Sequence, residues 1–144
     1  MQQEYKAVLM SIHPKYVNKI LDGSKRVEFR RVWAAQKVSH LVIYSTSPDM
    51  KVVATVEIAE VLQESQTNLW EAAKKYGGGL TRKELRTYFS GLSKGYALVL
   101  DKIKPLTRPL ALAELGDGIR APQSYAYLTA DQFLFVQSHT SLGE

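Results

Sequence analysis

The densest chemistry in this chain lies in one short run, Gly23-Ser24-Lys25-Arg26-Val27-Glu28-Phe29-Arg30-Arg31. A carboxylate set among cations can accept the amino group of a nucleobase while the cations take a phosphate. Lys25 and Glu28 can also share acid and base work on one proton. If the run is a strand, alternation puts Arg26, Glu28 and Arg30 on one face, and Lys25 and Arg31 with Val27 and Phe29 on the other. Cations that share a face with apolar residues belong at strand ends. That predicts them at the mouth of a cleft rather than deep inside. The plain alternative is a solvated strand in which Glu28 pairs with Arg26 or Arg30.

Other candidates are weaker. His13, His40 and His139 lack metal-ligand spacing, so no metal and no cofactor is expected. The chain has no Cys, which excludes thiolate zinc sites, disulfides and cysteine nucleophiles. Gly77-Gly78-Gly79 is followed by no Gly-Lys-Ser/Thr and is no phosphate loop. It reads as a plain loop, with a hinge as the second option. Trp70 reads as an anchor for its helix and Trp33 as a core or rim residue. Lys74, Lys75, Arg82, Lys83 and Arg86 form a basic surface, either a solvated face or a track for an RNA backbone.

The elements that position these groups follow from pattern. Ala7–Ile12 is an apolar strand, and Pro14 starts a helix to about Asp22, which Gly23 ends. Strands are expected over 25–32, 40–45, 51–62, 95–103 and 125–128. Thr67–Tyr76 is helical. Thr81 with Glu84 makes a capping box for the next helix, and Thr129 caps a last helix to about Gln137. Leu112–Leu115 reads as one helical turn. Strands that follow one another without intervening helices argue for an α+β fold, a mixed or antiparallel β-barrel with flanking helices. A two-helix insertion falls at about residues 66–91.

Composition sets the frame. The chain has 144 residues, which is one domain over 1–144, and its 45% hydrophobic content suffices for a packed core. No apolar run approaches the roughly 18 residues of a membrane span. Met1 to Lys6 is polar and carries no signal-peptide core, so a cytoplasmic location is expected. The formal charge of +5 permits an anionic partner.

Four segments in order resemble one family. Gly23-x-Lys25-x-x-Glu28-x-Arg30 after a short helix is similar to the signature of the ASCH domain, part of the PUA-like superfamily. Ile43-Tyr44-Ser45-Thr46-Ser47-Pro48, Lys94-Gly95-Tyr96-Ala97-Leu98 and Arg120-Ala121-Pro122-Gln123-Ser124-Tyr125 resemble further family segments. The resemblance covers about residues 6–128. It implies a PUA-like barrel with a cleft that binds RNA or a modified nucleotide. Gly23, Lys25, Glu28 and Arg30 would line one wall, and Ser45, Ser47, Arg120, Gln123, Ser124 and Tyr125 the other. Arg120 offers a planar fork for phosphate, Gln123 can read a base edge, and Tyr125 can stack.

One branch of the family resembles an amidohydrolase for acetylated cytidine, marked by Gly-x-Lys-Thr-x-Thr-x-Arg. Here Lys25 and Arg30 match, but Arg26 and Glu28 replace the two Thr, and Gly77–Gly79 falls where that branch carries an acid. The hydroxyl nucleophile is gone. A hydrolase acting on RNA or a modified nucleoside, with Lys25 and Glu28 as its catalytic pair, stands as the alternative to a binding module.

Overall fold

The computed structural model describes residues 6–33 and 37–140; the polar stretch 1–5, to which part of the leader reading belongs, lies outside them. Strand β1 (Ala7–Ile12) is buried on both faces, as its apolar run, broken only by the half-buried Ser11, requires. Val8, Met10 and Ile12 point into one core, and Ala7 and Leu9 into another. His13 caps the next helix, its Nδ1 accepting from Lys15 N at 3.1 Å. Pro14 takes the first position of α1 (Pro14–Leu21), whose Val17 and Ile20 turn inward.

The remaining order is β2 (Val27–Arg30), β3 (His40–Ser45), β4 (Lys51–Ser65), α2 (Gln66–Tyr76), α3 (Arg82–Tyr88), β5 (Lys94–Leu110), β6 (Tyr125–Leu128) and α4 (Ala130–Gln137). The expected helical turn is a 3-10 turn over Leu112–Glu114. The Thr81–Glu84 capping box forms as expected. Ser65 rather than Thr67 caps α2, because β4 runs three residues further than its pattern and delivers Ser65 to the helix start. Strand β5 likewise continues through Pro105 and Pro109. Its pairing with β4 is interrupted by register shifts at Val52/Ala54, Thr55/Glu57 and Ile58/Glu60, and such irregularities bend a long strand and tolerate a proline.

The strands form one mixed sheet in the order β2-β5-β4-β3-β1-β6. Only β1 and β3 run parallel. The α+β class stands, but the expected barrel is corrected: the sheet is open, and β2 and β6 are its edges. Curvature nonetheless brings the edges near each other. Arg30 of β2 reaches Ser11 of β1 and Ser124 beside β6 through its side chain. Closure is made by a guanidinium where a barrel would use a ladder.

The two-helix insertion lies on the β2–β5 side. Val27, Phe29 and Ala97 of the sheet pack against Leu69 and Ala73 of α2, Leu85 of α3, and Phe89. Among the described residues no helix is long and apolar enough to cross a membrane. Phe89 is fully buried, and the space its ring fills is the space a side chain on Gly95 would need. Gly95→Ala is therefore expected to lower stability by about 1–3 kcal/mol through overpacking, read as a lower urea midpoint with unchanged m.

Candidate functional site

The loop from α1 to β2 is held from two sides. Gly23 adopts φ +85° and turns the chain out of the helix. Asp22 Oδ1 accepts from Ser24 N at 2.8 Å, and Lys25 N donates to Lys19 O at 3.0 Å. From the insertion, Tyr76 O and Gly77 O both accept from Arg26 N, at 3.0 and 3.1 Å. Gly77 has φ +81°, and a Cβ there would run into the Ser24 carbonyl. The glycine triplet, expected to be a loop or hinge, is thus the seat on which the Lys25 loop rests.

Lys25 is 2% exposed. Its Nζ donates to Gly78 O at 2.6 Å and Val27 O at 2.7 Å, and lies 3.5 Å from Glu28 Oε1. The rings of Tyr16 and Phe29 sit 5.4 and 5.5 Å from the same nitrogen. Burial pushes the Lys25 ammonium below its usual value, against the opposing pull of Glu28. This corrects the expectation of a cation at the mouth. Strand alternation does not reach Lys25, because β2 begins only at Val27 and the preceding loop turns the side chain under.

The other Glu28 oxygen, Oε2, accepts from Arg30 Nη2 at 2.8 Å. The same nitrogen donates to Ser11 O at 3.1 Å, and Nη1 donates to Ser124 Oγ at 3.2 Å. Ser11 is itself tied to the far loop, with Oγ donating to Pro122 O at 2.6 Å and N donating to Ser124 O at 3.1 Å. The Arg30 Nε–H is buried and has no acceptor among the described residues. The solvated-strand alternative fails on burial, since every residue of β2 is buried, though its Glu28–Arg30 pair is real.

These charges line a cleft of about 230 Å³, whose walls also carry His13, Tyr16 and Tyr88. The Tyr88 hydroxyl donates to Phe29 O at 3.2 Å, and burial pushes it above the usual phenol value. Because His13 Nδ1 accepts from Lys15 N, its neutral ring carries the proton on Nε2. Tyr16, His13 and Tyr88 are not among the site residues expected from the sequence. The signal for Tyr88 was its spacing of four from the capping-box Glu84, which places both on the same side of α3.

The second expected wall divides. Ser124 touches Arg30 directly, and Tyr125 packs its ring on Trp33 at 4.7 Å. Arg120 and Gln123 are exposed on the loop before β6. Ser45 is buried at the end of β3 and donates to Asp49 Oδ2 at 2.8 Å, while Ser47 is exposed in the following turn. None of Gly23, Ser45, Ser47, Arg120, Gln123, Ser124 and Tyr125 lines the cleft itself, whereas Lys25, Glu28 and Arg30 do. Among the described residues no group of three or more His, Asp or Glu side chains is placed to hold a metal ion.

A curled, open α+β sheet whose edges meet at a Lys–Glu–Arg cluster defines the architecture. Residues 10–107 match the family model of the ASCH domain, and the chain belongs to that family. An ASCH domain-containing ribonuclease from Zymomonas mobilis is 32% identical over 143 residues, covering 94% of this chain and 93% of that protein. The crystal structure of ASCH from Zymomonas mobilis matches with TM-score 0.85 at 28% identity, covering 94% of this chain and 96% of that one. The N-terminal domain of Staphylothermus marinus McrB shares the fold at TM-score 0.62 and 11% identity, covering 96% of this chain and 98% of that one.

Removing the buried ammonium should be costly. Lys25→Met leaves two carbonyls without their donor and Glu28 with one counter-charge, an expected loss of about 3–5 kcal/mol. The pH dependence follows from the lowered value. Between the folded value and the ordinary 10.5, the unfolded chain binds more protons, so this group makes stability rise with pH. Urea unfolding across that alkaline window should show the rise in the parent and not in Lys25→Met. Equal slopes would mean that Lys25 is not desolvated.

Proposed function

We propose that the cleft binds a nucleotide unit of single-stranded RNA. The observation that carries this reading is Arg30, a lining residue of the cleft whose buried Nε–H has no acceptor among the described residues. A buried donor left unpaired costs about 1–3 kcal/mol, which an oxygen of a bound phosphate or base relieves once the cleft wall shifts to admit it. Arg30 is already oriented by Glu28, Ser11 and Ser124, so little side-chain entropy remains to be lost on binding. Tyr16, Tyr88 and His13 supply ring surface at the cleft, which suits recognition of an unstacked base. The net charge of +5 adds favourable long-range attraction for a polyanion.

A second reading has one specific support. The Zymomonas relative is named a ribonuclease, and Lys25 and Glu28 lie 3.5 Å apart. On this reading Lys25, with its ammonium pushed down by burial, and Glu28 serve as proton donor and acceptor at the bound phosphodiester. The two readings share a cleft and differ in turnover.

Fluorescence anisotropy with a labelled 12-nucleotide RNA separates them from the absence of either. Affinity should fall as salt rises. Arg30→Lys, which keeps the charge but removes the Nε–H and the planar fork, should weaken binding about tenfold or more. Unchanged affinity in a folded Arg30→Lys protein would contradict the binding site. If the parent also cleaves the RNA, Glu28→Gln should abolish product while leaving a bound complex; product formed at the parent rate would remove Glu28 from the chemistry.

A further inference from the structure

A second cavity lies on the far side of α3. Glu84 and Tyr88 face the cleft, whereas Arg82 and Arg86 face a separate space of about 130 Å³ against α2. This follows from helical geometry, since residues two apart on a helix point to nearly opposite sides. From α2 the cavity receives Gln66, Thr67 and Trp70. One helix, about 10–12 Å across with its side chains, separates the two spaces.

The groups there are unspent. Arg82 and Arg86 are exposed and make no ion pair or side-chain hydrogen bond among the described residues. The nearby acids are engaged elsewhere. Glu84 closes the capping box and meets Lys15 at 3.9 Å, and Glu71 pairs with Lys74 at 3.0 Å. Gln66 is fixed, its Nε2 donating to Phe89 O and Leu92 O at 3.1 and 3.0 Å, which leaves its Oε1 as an oriented acceptor. Trp70 packs on the Leu69–Leu85 core but is only half-buried, so it anchors α2, as expected, and still presents indole surface to the cavity.

We infer that Trp70, Arg82, Arg86 and Gln66 form a second nucleotide subsite, which takes a residue further along the RNA strand held in the cleft. The inference rests on the nucleic-acid reading of that cleft. An aromatic face beside unpaired cations is the combination that holds single strands without reading their sequence: the base stacks, and the guanidinium forks take the phosphates. Gln66 Oε1 offers an acceptor to a base amino group. The insertion helices then extend the binding surface beyond one nucleotide.

The test uses the full chain and a 12-nucleotide single-stranded RNA. Arg82→Ala/Arg86→Ala changes two exposed helix positions and keeps good helix formers, so the fold is retained. Its affinity should drop about tenfold or more. The slope of log affinity against log salt should also shrink by about 1.4, that is 0.7 for each of two phosphates. Trp70→Leu, which keeps apolar packing, should weaken binding about fivefold or more, and Trp70→Phe should recover most of it. If the parent binds the RNA and the double variant matches it in affinity and salt slope, the subsite is wrong and the cleft stands. If the parent binds no oligonucleotide, both readings fall. If Trp70→Leu binds as tightly as the parent while the arginine variant is weakened, the stacking role is overturned.

Discussion

One carboxylate organises this protein. Glu28 accepts from the Arg30 guanidinium on one oxygen and meets the Lys25 ammonium with the other. All three residues are buried. A buried charge cluster of this kind adds little net stability over an apolar replacement, yet losing one member strands the others. Its role is therefore positional. Through Glu28, the loop after α1, strand β2 and the far edge of the sheet are tied to a single point. Arg30 spans the gap between the edges of an open sheet by bonding Ser11 and Ser124, and so helps to hold the cleft wall in place.

The insertion helices complete the same construction. Gly78 supplies the carbonyl that receives Lys25, and Gly77 must lack a side chain for the loop to approach. Phe29 and Phe89, edge to face at 6.1 Å, lock β2 to the end of α3. Tyr88 then reaches the Phe29 carbonyl and forms part of the cleft wall. Sheet curvature, glycine seat and insertion thus converge on one buried triad.

Much of this was legible in the sequence. Capping residues and apolar periodicity located most elements, because those signals are local: Thr81 with Glu84, Thr129 before α4, Pro14 after His13. The four ordered motifs pointed to the family that residues 10–107 match. What escaped was non-local. Whether a sheet closes depends on the summed bend of β4 and β5, and no short pattern encodes where Arg30 will meet Ser11. The glycine triplet looked like slack because its partner, the Ser24 carbonyl, is more than fifty positions away. Lys25 looked solvated because alternation was extended past the true start of β2. His13 and Tyr88 join the cleft only through the packing of α1 and α3.

The proposed RNA cleft stands or falls on whether the Arg30 Nε–H gains an acceptor when RNA binds. The direct measurement is the side-chain nitrogen spectrum of arginine-labelled protein during titration with single-stranded RNA. The account predicts a saturable shift of the Arg30 Nε–H resonance, assigned by its loss in Arg30→Lys, at the same RNA concentration that saturates binding. An Arg30 Nε–H signal that stays fixed while RNA binding saturates elsewhere would contradict it.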